Sequence, residues 1–276
     1  MKAIHVDWTK PSEHAEKEDF ELLTTILSAL KWREKNGEIN LITDTYGKNY
    51  YKKLGLDIIW NSVSDSLDKI PDTINPRVFW AAGKIFALKE QSAPVAVMDT
   101  DFIVWEALPF EKYGDVSAIH FEELYGDIYP PIEYFKMKDG YSFGNLDWSV
   151  PASNTAFYVV KNPDFIKTYT DEAIRFMENA DISDEPLKYM VFAEQRMFSM
   201  CAEKLGIKPQ SICSLDDLFS NNRTFTHTWG MKQQMRHDCN IRRDFCKKCI
   251  RRIEADYPQI VPLLKDTGLY RTGKYL

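Results

Sequence analysis

The stretch VAVMDTDFIVW, Val95 to Trp105, sets two carboxylates between two apolar runs. Left uncompensated, Asp99 and Asp101 so close to buried surface would cost several kcal/mol. In an extended chain residues i and i+2 point to the same side, so Asp99 and Asp101 converge while Thr100 turns away. Like charges that close repel, and one carboxyl tends to stay protonated. A divalent cation removes the conflict. Carboxylate oxygens suit the hard ions Mg²⁺ and Mn²⁺, which keep waters and phosphate oxygens in their remaining positions. The competing reading is a strand end followed by an Asp-rich turn with both side chains in water. D-x-D is too short a pattern to decide between the two.

The elements that must position this pair read as follows. Val95 to Met98 is a strand buried on both faces, as in the middle of a parallel sheet. Before it the chain alternates. AIHVDW is a strand. EDFELLTTILSALKWREK, Glu18 to Lys35, is a helix that Gly37 stops. INLIT is a strand, YGKNYYKKLGL a short helix ending at Gly55, and DIIWNSV a third strand. Pro76 opens a helix over RVFWAAGKIFALKEQ. This alternation is the signature of an α/β layer with a mostly parallel sheet. Ligands of such sheets bind beyond the carboxyl ends of the strands, where Asp99 and Asp101 lie.

The second half is less regular. VSAIHF and ASNTAFYVVKN read as strands, Pro163 to Asn179 and Leu187 to Leu205 as helices, and THTW as a strand or loop. Between them Gly126 to Val150, rich in Tyr, Pro and Gly, is a long loop of the kind that usually serves function. From Lys232 on the chain turns basic. The 276 residues divide as a main domain over 1–232 and a basic helical extension over 233–276 packed on it. The net charge of −6 weighs against a nucleic-acid binder. No apolar run approaches a membrane span, and MKAIHVDW already reads as a strand, so a cytoplasmic location is expected. The five cysteines are irregularly spaced and fit reduced thiols. Three of them, with His237, raise a zinc site from Cys239, Cys246 and Cys249, although the second C-x-x-C is missing. The surrounding cations also suit peripheral contact with an anionic membrane. The plain alternative is a helix packed on the domain with its charged face in water.

Four segments stand in a particular order: MDTDF; SNTAFYVV, with Asn154; FAEQRMF, with Glu194 and Gln195; and THTWGMK, with His227, Gly230 and Lys232. This order resembles the GT-A class of nucleotide-sugar glycosyltransferases. Within it, the likeness is to the retaining glycogenin- and galactosyltransferase-like family, with its D-x-D, N-x-G strand, D-Q helix and late H-x-x-G-x-x-K. The likeness runs to about Lys232. Ala156 stands where the family has Gly, Glu194 replaces Asp, and the late motif is one residue short. Ala82 lies near the place of a donor-holding Arg, while Lys84 matches a family Lys.

The resemblance implies a GT-A-like, Rossmann-like sheet flanked by helices. It implies a metal held by Asp99, Asp101 and His227, and a nucleoside-diphosphate sugar as donor. An imidazole beside two carboxylates suits Mn²⁺, with Mg²⁺ second. The metal would act on the leaving diphosphate as a Lewis acid, with Lys232 as a second positive charge and backbone N–H groups near Gly230 against the phosphates. Lys84 would touch the donor. Asn154, Glu194 and Gln195 would line the sugar and the saccharide or glycan acceptor, with Glu194 the base if the reaction inverts. Trp8, Thr9 and Asp44 follow two strand ends where the likeness sets the nucleotide base.

Each residue has a plainer role. His227 can be a hydrogen-bonded core histidine, Lys84 can pair on its own helix, Glu194 can be an exposed helix charge, Asn154 can cap a turn, and Trp229 can be a packing residue. Three whole-protein rivals remain open: an inactive nucleotide-sugar-binding protein, a metal-dependent phosphohydrolase or nucleotidyltransferase, and a structural α/β protein without a ligand.

Overall fold

The structure, a computed structural model, describes residues 1–181, 185–219 and 223–271. Strand β1 (Ala3–Asp7) leads to helix α1 (Asp19–Lys35), β2 (Ile39–Thr43), α2 (Thr45–Lys53), β3 (Ser62–Ser64), α3 (Ala82–Lys89) and β4 (Val95–Met98). β5 (Phe102–Val104), β6 (Val116–Ala118), β7 (Phe121–Glu122), β8 (Ala152–Ser153), β9 (Phe157–Val160) and α4 (Pro163–Asn179) follow. Helix α5 (Pro186–Val191) runs through a π-turn, Phe192–Arg196, into α6 (Met197–Lys204). The chain closes with β10 (Gln210–Ser211), α7 (Leu215–Phe219), β11 (Phe225–His227), α8 (Lys232–His237), α9 (Cys239–Asp256) and α10 (Val261–Asp266).

Local chemistry sets the helix ends. Glu18 and Glu21 close a reciprocal capping box on α1, and Gly37, at φ +117°, takes the chain out of it. Asp44 caps α2 through the Gly47 N–H, and Asn162 caps α4 ahead of Pro163.

Seven strands form the central sheet in the order β10-β6-β9-β4-β1-β2-β3. All neighbours run parallel except β9, which lies antiparallel between β4 and β6. The fold is thus α/β with a mainly parallel central sheet flanked by helices. Val95 and Val97 of β4 face one apolar layer, under α3, α4 and α6. Ala96 and Met98 face the other, under α1 and α9. Both faces of β4 are buried because both faces of the sheet are covered.

Three expectations change. DIIWNSV is not one strand: Leu56–Ile59 is a 3-10 turn that buries Leu56 and Ile59 and exposes Ile58, and β3 begins only at Ser62. The apolar run Ile58-Ile59-Trp60 has the look of a strand, but in the 3-10 turn the buried residues, Leu56 and Ile59, stand three apart, the spacing of a helical turn. Pro76 opens no helix, and α3 starts six residues later at Ala82. There Gly83 lets the helix cross Trp8, whose Cβ would lie 2.8 Å from a Cβ at position 83. β4 has one antiparallel neighbour, so it borders the reversal of the sheet.

The basic segment is helical and packs on α1 through Cys246, Cys249, Ile250 and Ile253 of α9. Its last five residues, 272–276, lie outside the described residues. The zinc reading is corrected: Cys246 and Cys249 are buried, Cys239 is exposed, and among the described residues they join no metal-capable group. No described helix is long and apolar enough to cross a membrane.

Candidate metal and ligand site

The turn between β4 and β5 presents the two carboxylates. Asp99 N–H donates to Ala156 O at 2.8 Å, and Phe102 N–H to Asp99 O at 3.0 Å. Strand β11 pairs with β5 in a register that sets His227 opposite Phe102. This brings the third group to the pair, and Thr228 N–H donates to Asp101 O at 3.2 Å to hold it. One ligand-capable atom from each of Asp99, Asp101 and His227 lies within 4.8 Å of the others. The turn with both carboxylates in water is therefore excluded: Asp101 is buried at 6% exposure, and Asp99 is partly exposed.

Two lysines compensate the pair in this structure. Lys84 Nζ lies 2.6 Å from Asp99 Oδ1 and 2.6 Å from Glu194 Oε1, and donates to Thr155 O at 3.3 Å. Lys232 Nζ lies 2.9 Å from Asp101 Oδ2. Lys84 thus pairs across the fold and not on its own helix. Burial opposes its charge, but Asp99 and Glu194 together raise its pKa well above the usual value. Asp99 titrates at about 6, raised by burial, with Lys84 opposing and Asp101 and Glu194 adding repulsion. Asp101 is also raised by burial, but Lys232 and His227 outweigh it and its pKa is lowered. Burial holds His227 down at about 4 against the pull of Asp101, so its imidazole is neutral, the form that ligates metals.

The remaining predicted residues divide. Glu194 and Gln195 sit in the π-turn, a feature frequent at functional sites. Glu194 is buried, not an exposed helix charge; its Oε1 also accepts the Thr155 hydroxyl at 2.9 Å. Gln195 Oε1 accepts the Tyr129 hydroxyl at 2.5 Å. Asn154 caps the turn before β9, its Oδ1 accepting Ala156 N–H at 3.0 Å, and donates to Glu122 Oε1 at 2.7 Å. Gly230 has open space around it, and Trp229 is no packing residue: it is 73% exposed.

Trp8, Thr9 and Asp44 gather at the carboxyl ends of β1 and β2. The Asp44 carboxylate accepts Thr9 N–H and the Thr9 hydroxyl, each at 2.8 Å, and Gly47 N–H at 2.8 Å. Trp8 and Asp44 line a cleft of about 350 Å³ with Leu67, Asp68 and Lys69. Sequence reasoning missed Thr155, Glu122 and Tyr129, whose relation to the site depends on contacts across the fold. The adjacency of Thr155 to Asn154 was the one available signal.

The donor set fits a hard or borderline divalent ion. Two carboxylates and a neutral imidazole converge, His227 Nε2 stands 3.7 Å from Asp101 Oδ2, and both lysine pairs are ones a cation can replace. Ala82, near the expected place of an arginine, is fully buried.

No curated protein matches the sequence. Among solved structures, a PaToxG glycosyltransferase is 12% identical at a TM-score of 0.43, covering 80% of this chain and 72% of that one. The glycosyltransferase GlyE of Streptococcus pneumoniae is 10% identical at 0.39, covering 79% of this chain and 46% of that one, so the chain spans less than half of GlyE. Mouse xyloside xylosyltransferase 1 is 6% identical at 0.38, covering 82% of this chain and 97% of that one. A family model matches residues 1–265, nearly the whole chain, and by that match the protein belongs to DUF6734, a family of unknown function.

Proposed function

We propose that this protein is a GT-A-type, metal-dependent glycosyltransferase that moves a sugar from a nucleoside-diphosphate sugar, a UDP-sugar, to a saccharide or glycan acceptor. One observation carries the reading: Asp99, Asp101 and His227 converge at the carboxyl end of the central strand β4. Asp99, Asp101 and His227 would hold Mn²⁺, or Mg²⁺ in its place. When bound, the ion supplies Lewis-acid stabilisation of a leaving diphosphate. Lys232, beside Asp101, adds a positive charge for the phosphates, and Gly230 leaves its backbone open to them. Asn154, Glu194 and Gln195 form the sugar and acceptor side, and Lys84 orients Glu194. The cleft at Trp8, Thr9 and Asp44 takes the base, with Trp8 as its apolar wall. Glu194, tied to an ammonium and a hydroxyl, makes a poor general base. That supports retention, in which the leaving phosphate takes the acceptor proton.

The buried Ala82, in place of a donor-holding arginine, favours the second reading, a nucleotide-sugar-binding protein without transfer activity. Membrane contact is no part of the proposal: Arg236 and Arg242 of the basic segment pair with Glu18, Glu21 and Asp19.

Calorimetric titration of UDP, with Mn²⁺ and with EDTA, on wild type and Asp101→Ala tests the site. Binding that needs both Mn²⁺ and Asp101 is expected. Release of UDP from a panel of UDP-sugars then separates the two readings, and release of inorganic phosphate or pyrophosphate instead would point to the phosphohydrolase or nucleotidyltransferase rival. Failure of UDP to bind under every condition removes the assignment.

A further inference from the structure

A buried line of hydrogen bonds crosses the layer under α1 and ends on the backbone of the D-x-D turn. Trp60 Nε1–H donates to His5 Nδ1 at 3.0 Å. His5 Nε2 stands 2.9 Å from Ser28 Oγ, and the Ser28 hydroxyl donates to Phe102 O at 2.5 Å. Both ends fix the direction. An indole N–H only donates and a carbonyl only accepts, so His5 must be the neutral Nε2–H tautomer and must donate to Ser28. His5, Ser28 and Phe102 are fully buried, and Trp60 is 3% exposed. Water does not compete for any link, and a broken link leaves a buried polar group unpaired.

The position of the last link gives the line its meaning. Phe102 directly follows Asp101, and its N–H closes the turn on Asp99 O at 3.0 Å. Its ring packs 5.4 Å from that of His227. The neighbouring carbonyl, Asp101 O, is held from the opposite side by Thr228 N–H. The turn is clamped between α1 and the end of β11, and on the α1 side the Phe102 carbonyl accepts the Ser28 hydroxyl, which His5 orients.

We propose that His5 and Ser28 are positioning residues for the cation site of Asp99, Asp101 and His227: they hold the Phe102 carbonyl so that both carboxylates face His227. The inference rests on the cation reading of those three residues. Neither His5 nor Ser28 touches the ion. Groups that orient metal ligands from behind typically change affinity by about 10- to 100-fold when removed.

The test is calorimetric titration of Mn²⁺ alone, without nucleotide. The proteins are wild type, Ser28→Ala, His5→Leu, His5→Gln and Ile26→Val. Ile26 is buried on the same helix and carries no polar link, so its variant reports stability loss alone. Ser28→Ala and His5→Leu should lose about 10-fold or more in Mn²⁺ affinity. His5→Gln, whose amide can both accept from Trp60 and donate to Ser28, should keep most of it. Ile26→Val should unfold at a lower temperature with unchanged affinity. Should Ser28→Ala not fold, the contrast of His5→Leu with His5→Gln answers the same question. Wild-type affinity in Ser28→Ala, or parallel loss of affinity in Ile26→Val, overturns the positioning role and leaves the cation reading standing. A wild type that binds neither Mn²⁺ nor Mg²⁺ overturns both.

Discussion

Asp99 is shared between a repulsive neighbour, Asp101, and an attractive one, Lys84, which also holds Glu194. That arrangement makes Lys84 the common cation of two carboxylates. Lys84→Met leaves Asp99 and Glu194 without their common cation, and breaking a buried pair by removing one partner costs about 3 kcal/mol. The loss should appear as a lower unfolding temperature in EDTA. A bound Mn²⁺ would supply the missing charge, so the variant should gain more in Tm from Mn²⁺ than wild type does. Equal gains in thermal scans would mean that Lys84 and the ion do not answer the same charge. That Asp99 and Asp101 stand together at the end of a buried strand was legible in the sequence, but the extended-chain reason was not the right one: a turn closed by Phe102 N–H on Asp99 O brings the two carboxylates together. The partners of Lys84 were not legible: Thr155 and Glu194 lie 71 and 110 residues away in the chain, and no local pattern reports an ion pair formed by folding.

Helices with strong end signals, such as α1 with its capping box and α4 with Asn162 and Pro163, are readable at the scale of elements. The π-turn between α5 and α6 is not, since one extra residue per turn leaves the apolar pattern of Leu187 to Leu205 almost unchanged. Nor is the break between β8 and β9, where Asn154 turns the chain beside Asp99. Close packing makes two element-scale predictions. Gly47 lies inside α2, where Ala normally stabilises by about 1 kcal/mol. Here a Cβ would lie 2.0 Å from Thr43 Oγ1. Gly47→Ala should therefore destabilise, by about 1–3 kcal/mol in urea unfolding; a gain would show that β2 yields. The second concerns His5, which joins β1 to α1. Burial holds it at about 3, below its ordinary 6.5, against the opposing charges of Asp7 and Asp101. Below pH 6.5 the unfolded chain binds a proton at His5 that the folded one refuses. Stability from this group is intact above that pH and declines as pH falls toward about 3. Between pH 7 and 4.5 wild type should lose about 2–3 kcal/mol more than His5→Gln in urea midpoints converted to free energy. Identical pH slopes would mean that His5 is charged in the folded protein.

At the scale of the whole molecule, Asp99, Asp101 and His227 meet where the sheet changes direction. β1, β2 and β3 run parallel to β4, and β9 enters antiparallel on its other side, so the carboxyl end of β4 meets the start of β9 and the end of β11. A parallel α/β layer was legible from the alternation of its first half. The reversed strand was not, because strand direction is set by pairing across the fold and not by local sequence. The same limit applied to the basic segment, whose charges say nothing of what its helices pack on. Here α9 lies on α1, Arg242 reaches Glu18 and Asp19, and Arg236 reaches Glu18 and Glu21 at the α1 N-terminus. α1 in turn carries Ser28 to the D-x-D turn. An α9 that shares its core with α1 should unfold with the sheet and not ahead of it. Ile253, fully buried in that core, should cost about 2–4 kcal/mol as Ala. Arg251→Ala, on the exposed face of the same helix, should stay within about 0.5 kcal/mol of wild type. Urea unfolding followed by both far-ultraviolet circular dichroism and tryptophan fluorescence should give one coincident transition, shifted as a whole by Ile253→Ala. Two separated transitions, with Ile253→Ala moving only the first, would make the basic segment an independent appendage and cut the physical link between α9 and the group of Asp99, Asp101 and His227.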